Sequence, residues 1–190
     1  MRYTNVKLTN PYSEKMVRQD TMTPTKQRRA VTTILSAWLV GGTFDITMAS
    51  IYYPLKYNIT QILLLQNIAS GVFGERAFSG GLRMAVLGLA FHYCIAFFWT
   101  IIFFISYTAI EIFRRNWFIT GMAYGLVVWL VMNLVVLPMS NVSRSPFDPI
   151  QALIGAVILI FCIGLPNSAI IGSHYSTLQR LNSDRENEPK

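Results

Sequence analysis

Three long stretches of this chain carry no charged residue: Met84 to Ile110, Asn116 to Ser143 and Pro149 to Gln179. A fourth, Ala30 to Leu55, carries only Asp45. Each is long enough to cross a bilayer, which takes about 20 mostly apolar residues. A helix on the surface of a soluble core would show charges every few residues along its wet face. Only 13% of the 190 residues are charged, about half the usual share for a soluble protein. The pattern therefore predicts an all-α polytopic membrane protein, a bundle of four transmembrane helices at about 30–55, 84–110, 117–138 and 150–173. Residues 1–29 and 176–190 are expected to be cytoplasmic tails flanking a 30–175 membrane domain. The first 29 residues are polar and basic with no apolar stretch, so no cleavable signal peptide is expected and the first span would act as its own insertion signal.

The formal charge of +7 is unevenly placed. Arg2, Lys7, Lys15, Arg18, Lys26, Arg28, Arg29, Arg114, Arg115, Arg180, Arg185 and Lys190 fall on one side of the four-span scheme, and Lys56, Arg76, Arg83 and Arg144 on the other. Positive residues are retained in the cytoplasm, which puts both termini of a multi-pass membrane protein on the cytoplasmic side. The excess then meets anionic lipid headgroups. Nucleic acid is not an expected partner, because no folded basic domain exists to bind it.

Between the first two spans, residues 57–82 are apolar but broken by Gln61, Gln66, Asn67, Glu75 and Arg76. Ile62, Leu65, Ala69, Val72 and Phe73 fit one helical face, which suits an amphipathic helix on the outer surface or a re-entrant element tucked against the bundle. The sequence GMAYG, Gly121 to Gly125, places two small residues four apart, where helix backbones can approach closely, within the chain or between subunits of a homo-oligomer or with another membrane protein. Gly41, Gly42 and Gly88 are read as helix-packing positions for the same reason.

Asp45 is the feature that asks for a function. A lone acid in hydrocarbon costs about 2.5 kcal/mol or more on insertion scales. It shares a stripe of small residues with Gly41 and Ala49, so it should face another helix. From the helical rise, Asp45 lies roughly 13 Å below the outer boundary and His92 at a similar depth, with Asn133 roughly 8 Å down. These three form the candidate intramembrane polar or proton site. No group of His, Cys, Asp and Glu has metal-ligand spacing, and no nucleophile, zinc or phosphate-loop motif occurs. No metal, cofactor or catalytic residue is therefore expected. Cys94 and Cys162 lie inside spans and read as small apolar fillers.

The second-span run LGLAFHYCIAFFWTIIFFISY and the third-span run GMAYGLVVWLVMNLVVLP together resemble the YagU-like group of small bacterial inner-membrane proteins. The shared features are Gly88 four residues before the intramembrane His92, the aromatic residues after it, and a following span that opens with Gly and ends in Pro. The resemblance covers about 55 residues and implies a bacterial inner membrane and this number of spans, but no activity. Three function classes stay open: a non-catalytic accessory or assembly protein, a small proton- or ion-coupled transporter or channel built on a buried Asp–His pair, and an intramembrane enzyme acting on lipid.

Overall fold

A computed structural model describes residues 24–142 and 148–186. By compactness the chain forms two units, Met1–Thr32 and Thr33–Lys190. In the described part of the first, the Thr32 hydroxyl donates to the Arg28 and Arg29 carbonyls. The second unit holds everything that follows.

The elements are α1 (Pro24–Tyr57), α2 (Gln61–Phe73), α3 (Arg76–Ser79), α4 (Gly81–Ala109), α5 (Trp117–Val131), α6 (Leu137–Met139), α7 (Pro149–Leu159) and α8 (Leu165–Glu186). A short 3₁₀ turn, Glu111–Arg114, follows α4. Two π-helical segments, Met132–Val136 and Ile160–Gly164, join α5 to α6 and α7 to α8 without interrupting the rods. Four helical stretches are long and apolar enough to cross a membrane: Gln27–Tyr57, Gly81–Ala109, Trp117–Met139 and Pro149–Thr177. Among the described residues there is no strand. The protein is an all-α four-helix membrane bundle.

Local chemistry explains where the helices start. Asn116 accepts from the Phe118 and Ile119 amides and Asp148 from those of Ile150 and Gln151, each satisfying donors that a helix N-terminus leaves free. Pro149 follows Asp148 at a position where its missing amide proton costs nothing. Thr60 caps α2 through the Leu63 amide. At the other end Gly74, at φ +59°, turns the chain and returns its amide to the Ser70 carbonyl.

The core takes side chains from all four spans. Ala37, Trp99, Phe103, Tyr107, Tyr124, Val128 and Ile171 are buried together. The Phe103 and Tyr124 rings sit with centroids 4.4 Å apart, and the Tyr124 hydroxyl donates to the Trp99 carbonyl. The outward faces are just as apolar. Phe44, Ile51, Phe98, Ile105, Leu134 and Phe161 are each more than half exposed, a surface that suits acyl chains and would be poorly soluble in water.

Helix α2 buries a mixed face, Leu64, Gln66, Ala69 and Ser70, and exposes much of its apolar surface. Gln66 and Ser70 are buried, with the Gln66 amide donating to the Gly81 carbonyl, while Ile62, Leu63, Val72 and Phe73 face outward. The single face drawn through Ile62, Leu65, Ala69, Val72 and Phe73 is thus divided, with Ala69 buried and Ile62, Val72 and Phe73 exposed. The cause is Gly88 on α4. A methyl there would overlap the Leu65 carbonyl and come within 3.2 Å of the Ala69 nitrogen, so the two backbones touch. At its far end α2 is tied to the outer loop by Asn141, whose backbone amide donates to Gly71 and whose side chain donates to Val72.

Candidate functional site

Spans one and two meet along a seam fixed by aromatic side chains. The Trp38 indole donates to the Tyr93 carbonyl at 2.8 Å, its ring stands edge-on to those of Tyr93 and Phe97, and the Tyr93 hydroxyl pairs with Thr43 at 3.0 Å. Gly42 makes the approach possible, since a methyl there would sit 3.2 Å from the Tyr93 ring and 3.3 Å from Ala96.

Asp45 and His92 face each other within this seam. His92 Nδ1 lies 3.9 Å from Asp45 Oδ2, and the two side chains retain 11% and 17% of their exposure. On the other side of the ring, Nε2 lies 2.9 Å from the Gly42 carbonyl oxygen. A carbonyl can only accept, so Nε2 carries a proton and donates it. This fixes the tautomer of a neutral ring, and the Nδ1 lone pair then points at the carboxylate. Two acceptors face to face repel, and one proton between them resolves the conflict. It can sit on the ring, giving imidazolium beside carboxylate, or on the acid, giving neutral imidazole beside a carboxylic acid. A side-chain shift of about 1 Å would bring the two residues to hydrogen-bond length.

Asn133 is placed differently. Its side-chain amide donates to the Trp129 carbonyl one turn back on its own helix, at 2.9 Å, and no hydrogen bond joins it to Asp45 or His92. Shared depth brought it into the sequence-based site, but depth fixes only one of the three coordinates needed for contact. A short polar side chain inside a helix commonly satisfies itself on the preceding turn.

The neighbour that depth and spacing missed is on span four. Gly41 packs against the π segment Ile160–Gly164 and against Asn167, which is fully buried. The Asn167 amide nitrogen reaches Thr100 at 3.4 Å, and the Thr100 hydroxyl donates to the Ala96 carbonyl. Spans one and two thus meet at Asp45 and His92, and spans two and four at Thr100 and Asn167. The sequence signal was Pro166-Asn167-Ser168, a polar pair behind a proline inside an otherwise apolar run.

The glycines of span three serve a different contact. Methyl groups on Gly121 and Gly125 would sit 3.0 Å from the Leu165 Cα and 2.5 Å from the Ile160 Cα, so GMAYG lies directly on span four of the same chain.

Fold and seam together define an integral membrane protein with an ionisable pair between its helices. In comparison with known proteins, the chain matches no family model, no curated protein and no solved structure.

Proposed function

We propose that this is a small proton-coupled membrane protein in which Asp45 and His92 form the proton-binding site. The observation that supports the reading is the bond between His92 Nε2 and the Gly42 carbonyl, which leaves Nδ1 turned toward Asp45 Oδ2 at 3.9 Å. Intramembrane Asp and His residues relay protons in pumps and transporters for the same chemical reason. The protein would sit in a bacterial inner membrane with both termini cytoplasmic, in keeping with the basic excess of its tails and of the Arg114–Arg115 turn, whose side chains would meet anionic headgroups. The YagU-like resemblance supports the same membrane.

A second reading is favoured by the glycine contacts that set backbone against backbone at Gly88, Gly121 and Gly125. In an accessory or assembly protein the Asp45–His92 pair would fix helix register and move no proton.

Reconstitution into liposomes with an entrapped pH-sensitive dye separates the two. Under an imposed pH gradient, the wild-type protein is expected to change the internal pH faster than protein-free liposomes. Asp45→Asn is expected to abolish the difference while the folded protein reconstitutes at normal yield. A rate unchanged by Asp45→Asn, or one that follows only the amount of folded protein, would leave the register role.

A further inference from the structure

Span one is held to the bundle at a waist. Ala37, Gly41, Gly42 and Ile46 are buried there, and the bonds of Trp38 and Thr43 to Tyr93 and of the Gly42 carbonyl to His92 fall in the same stretch. Beyond Ile46 the seating changes. From Thr47 to the end of α1 at Tyr57, every residue is half-buried or exposed. A stretch of helix that buries no side chain belongs to the low-stability end of a fold. It is tied down by Tyr52, whose hydroxyl donates to Gln151 Oε1 at 2.6 Å, on the first turn of α7. Tyr52 lies seven residues after Asp45, so the two share a face of α1, with Ala49 between them. At the root of this arm the Asp45 and His92 side chains keep only 17% and 11% of their exposure. A proton reaches such a pair through water or a chain of polar groups, and Ala49, the next residue on the face, has no polar side-chain atom.

We propose that residues 47–57 form an arm that swings from the bundle to admit water to the Asp45–His92 pair, pivoting at the waist, with the Tyr52–Gln151 bond as the latch that holds it shut. The inference rests on the proton-binding reading for what the arm guards, and on Tyr52 and Gln151 for how it closes. Opening is cheap, because the arm leaves no buried side chain behind. Pro54 lies inside it and offers no amide to the turn before, so the arm is already one backbone bond short. The latch has a fitting strength. A hydrogen bond between two uncharged side chains shifts an equilibrium by about two- to tenfold, which biases the arm toward closure without locking it. The rings of Tyr52 and Tyr53 meet edge-on at 5.2 Å, and Tyr53 stacks on Tyr57, so the end of the arm carries its own packing with it.

Ala49→Cys puts a thiol between Asp45 and the latch. In the full chain, purified in detergent with Cys94→Ala, reaction with a charged, water-soluble maleimide is followed at position 49 and at the native Cys162, which is buried on span four. Tyr52→Phe keeps the ring and removes the donor. It is expected to speed the reaction at position 49 about two- to tenfold and to leave Cys162 unchanged. Gln151→Ala is expected to do the same, and the double variant to add nothing, since either change removes the same bond. Rates at position 49 unchanged in both single variants, additive effects, or an equal rise at Cys162 that marks general loosening would overturn the arm. Thiol reactivity does not depend on proton movement. If Asp45→Asn leaves the liposome response unaltered while the latch variants still expose position 49, the arm stands and the proton reading falls; the converse keeps the proton site and removes its gate.

Discussion

At Gly88 there is no room for a side chain of any size. The space that a methyl would take is held by the Leu65 carbonyl, and neither backbone can turn away as a side chain would. Gly125 is confined in the same way, against the Ile160 backbone at 2.5 Å. Gly42 differs, since its close neighbours are the Tyr93 ring and the Ala96 methyl. Overpacking a membrane helix contact costs roughly 1–3 kcal/mol, with the upper end reserved for sites where backbone must move. Gly88→Ala and Gly125→Ala are therefore expected to lower the melting temperature in detergent clearly more than Gly42→Ala. Equal effects would mean that α2 and α4 can separate without loss. The pair Gly121 and Gly125 was legible in the sequence because its spacing of four is itself the signal. Gly88 was legible as a packing glycine, but its partner was not, since a lone glycine says nothing about which helix approaches it.

Helices here are shaped by two Leu-Pro dipeptides. Each π segment ends one residue before a leucine and two before a proline, Met132–Val136 ahead of Leu137-Pro138 and Ile160–Gly164 ahead of Leu165-Pro166. A proline inside a helix removes one amide and presses its ring on the carbonyl four residues back, and widening the preceding turn relieves the clash. The spans themselves were plain in the sequence, because absence of charge over twenty residues is a cumulative signal that no single position can spoil. The π segments were not, because their residues are as apolar as those of the α-helix around them and only the prolines mark them. Asn167 was hidden with them. It faces Gly41 because an inserted residue in a π turn rotates everything beyond it by about 100°. Pro166→Ala restores the missing amide. Removing a proline from an isolated helix interior would gain about 3 kcal/mol. In this protein the opposite sign is expected, because the fit of Ile160 and Gly164 against Gly125 and Gly121 is built on the wide turn. Thermal unfolding of Pro166→Ala in detergent decides it: a raised melting temperature would show that the proline, and not the packing, demands the π geometry.

For the molecule as a whole, orientation in the membrane is a matter of charge. Apolar side chains cover the outside of all four spans, so burial gives the membrane-facing surface but no direction. Direction comes from charge alone. Basic residues cluster in the tails and at Arg114 and Arg115, beyond the end of α4, while few lie near its start. Helix α4 has 29 residues, about 43 Å at the helical rise, more than the hydrocarbon core of a bilayer is thick. Glu75 and Arg115 flank it and are both exposed. If α4 crosses, cysteines at these two positions must react from opposite sides; if basic residues stay in the cytoplasm, Glu75→Cys is the outer one. In intact cells a membrane-impermeant maleimide is expected to modify Glu75→Cys and to reach Arg115→Cys only after permeabilisation, measured in a background with Cys94 and Cys162 replaced by alanine. Modification of both sites in intact cells would deny that α4 spans. The reverse pattern would keep the four-span fold but invert it, and Asp45 and His92 would then lie in the cytoplasmic half, taking their proton from the opposite side of the membrane.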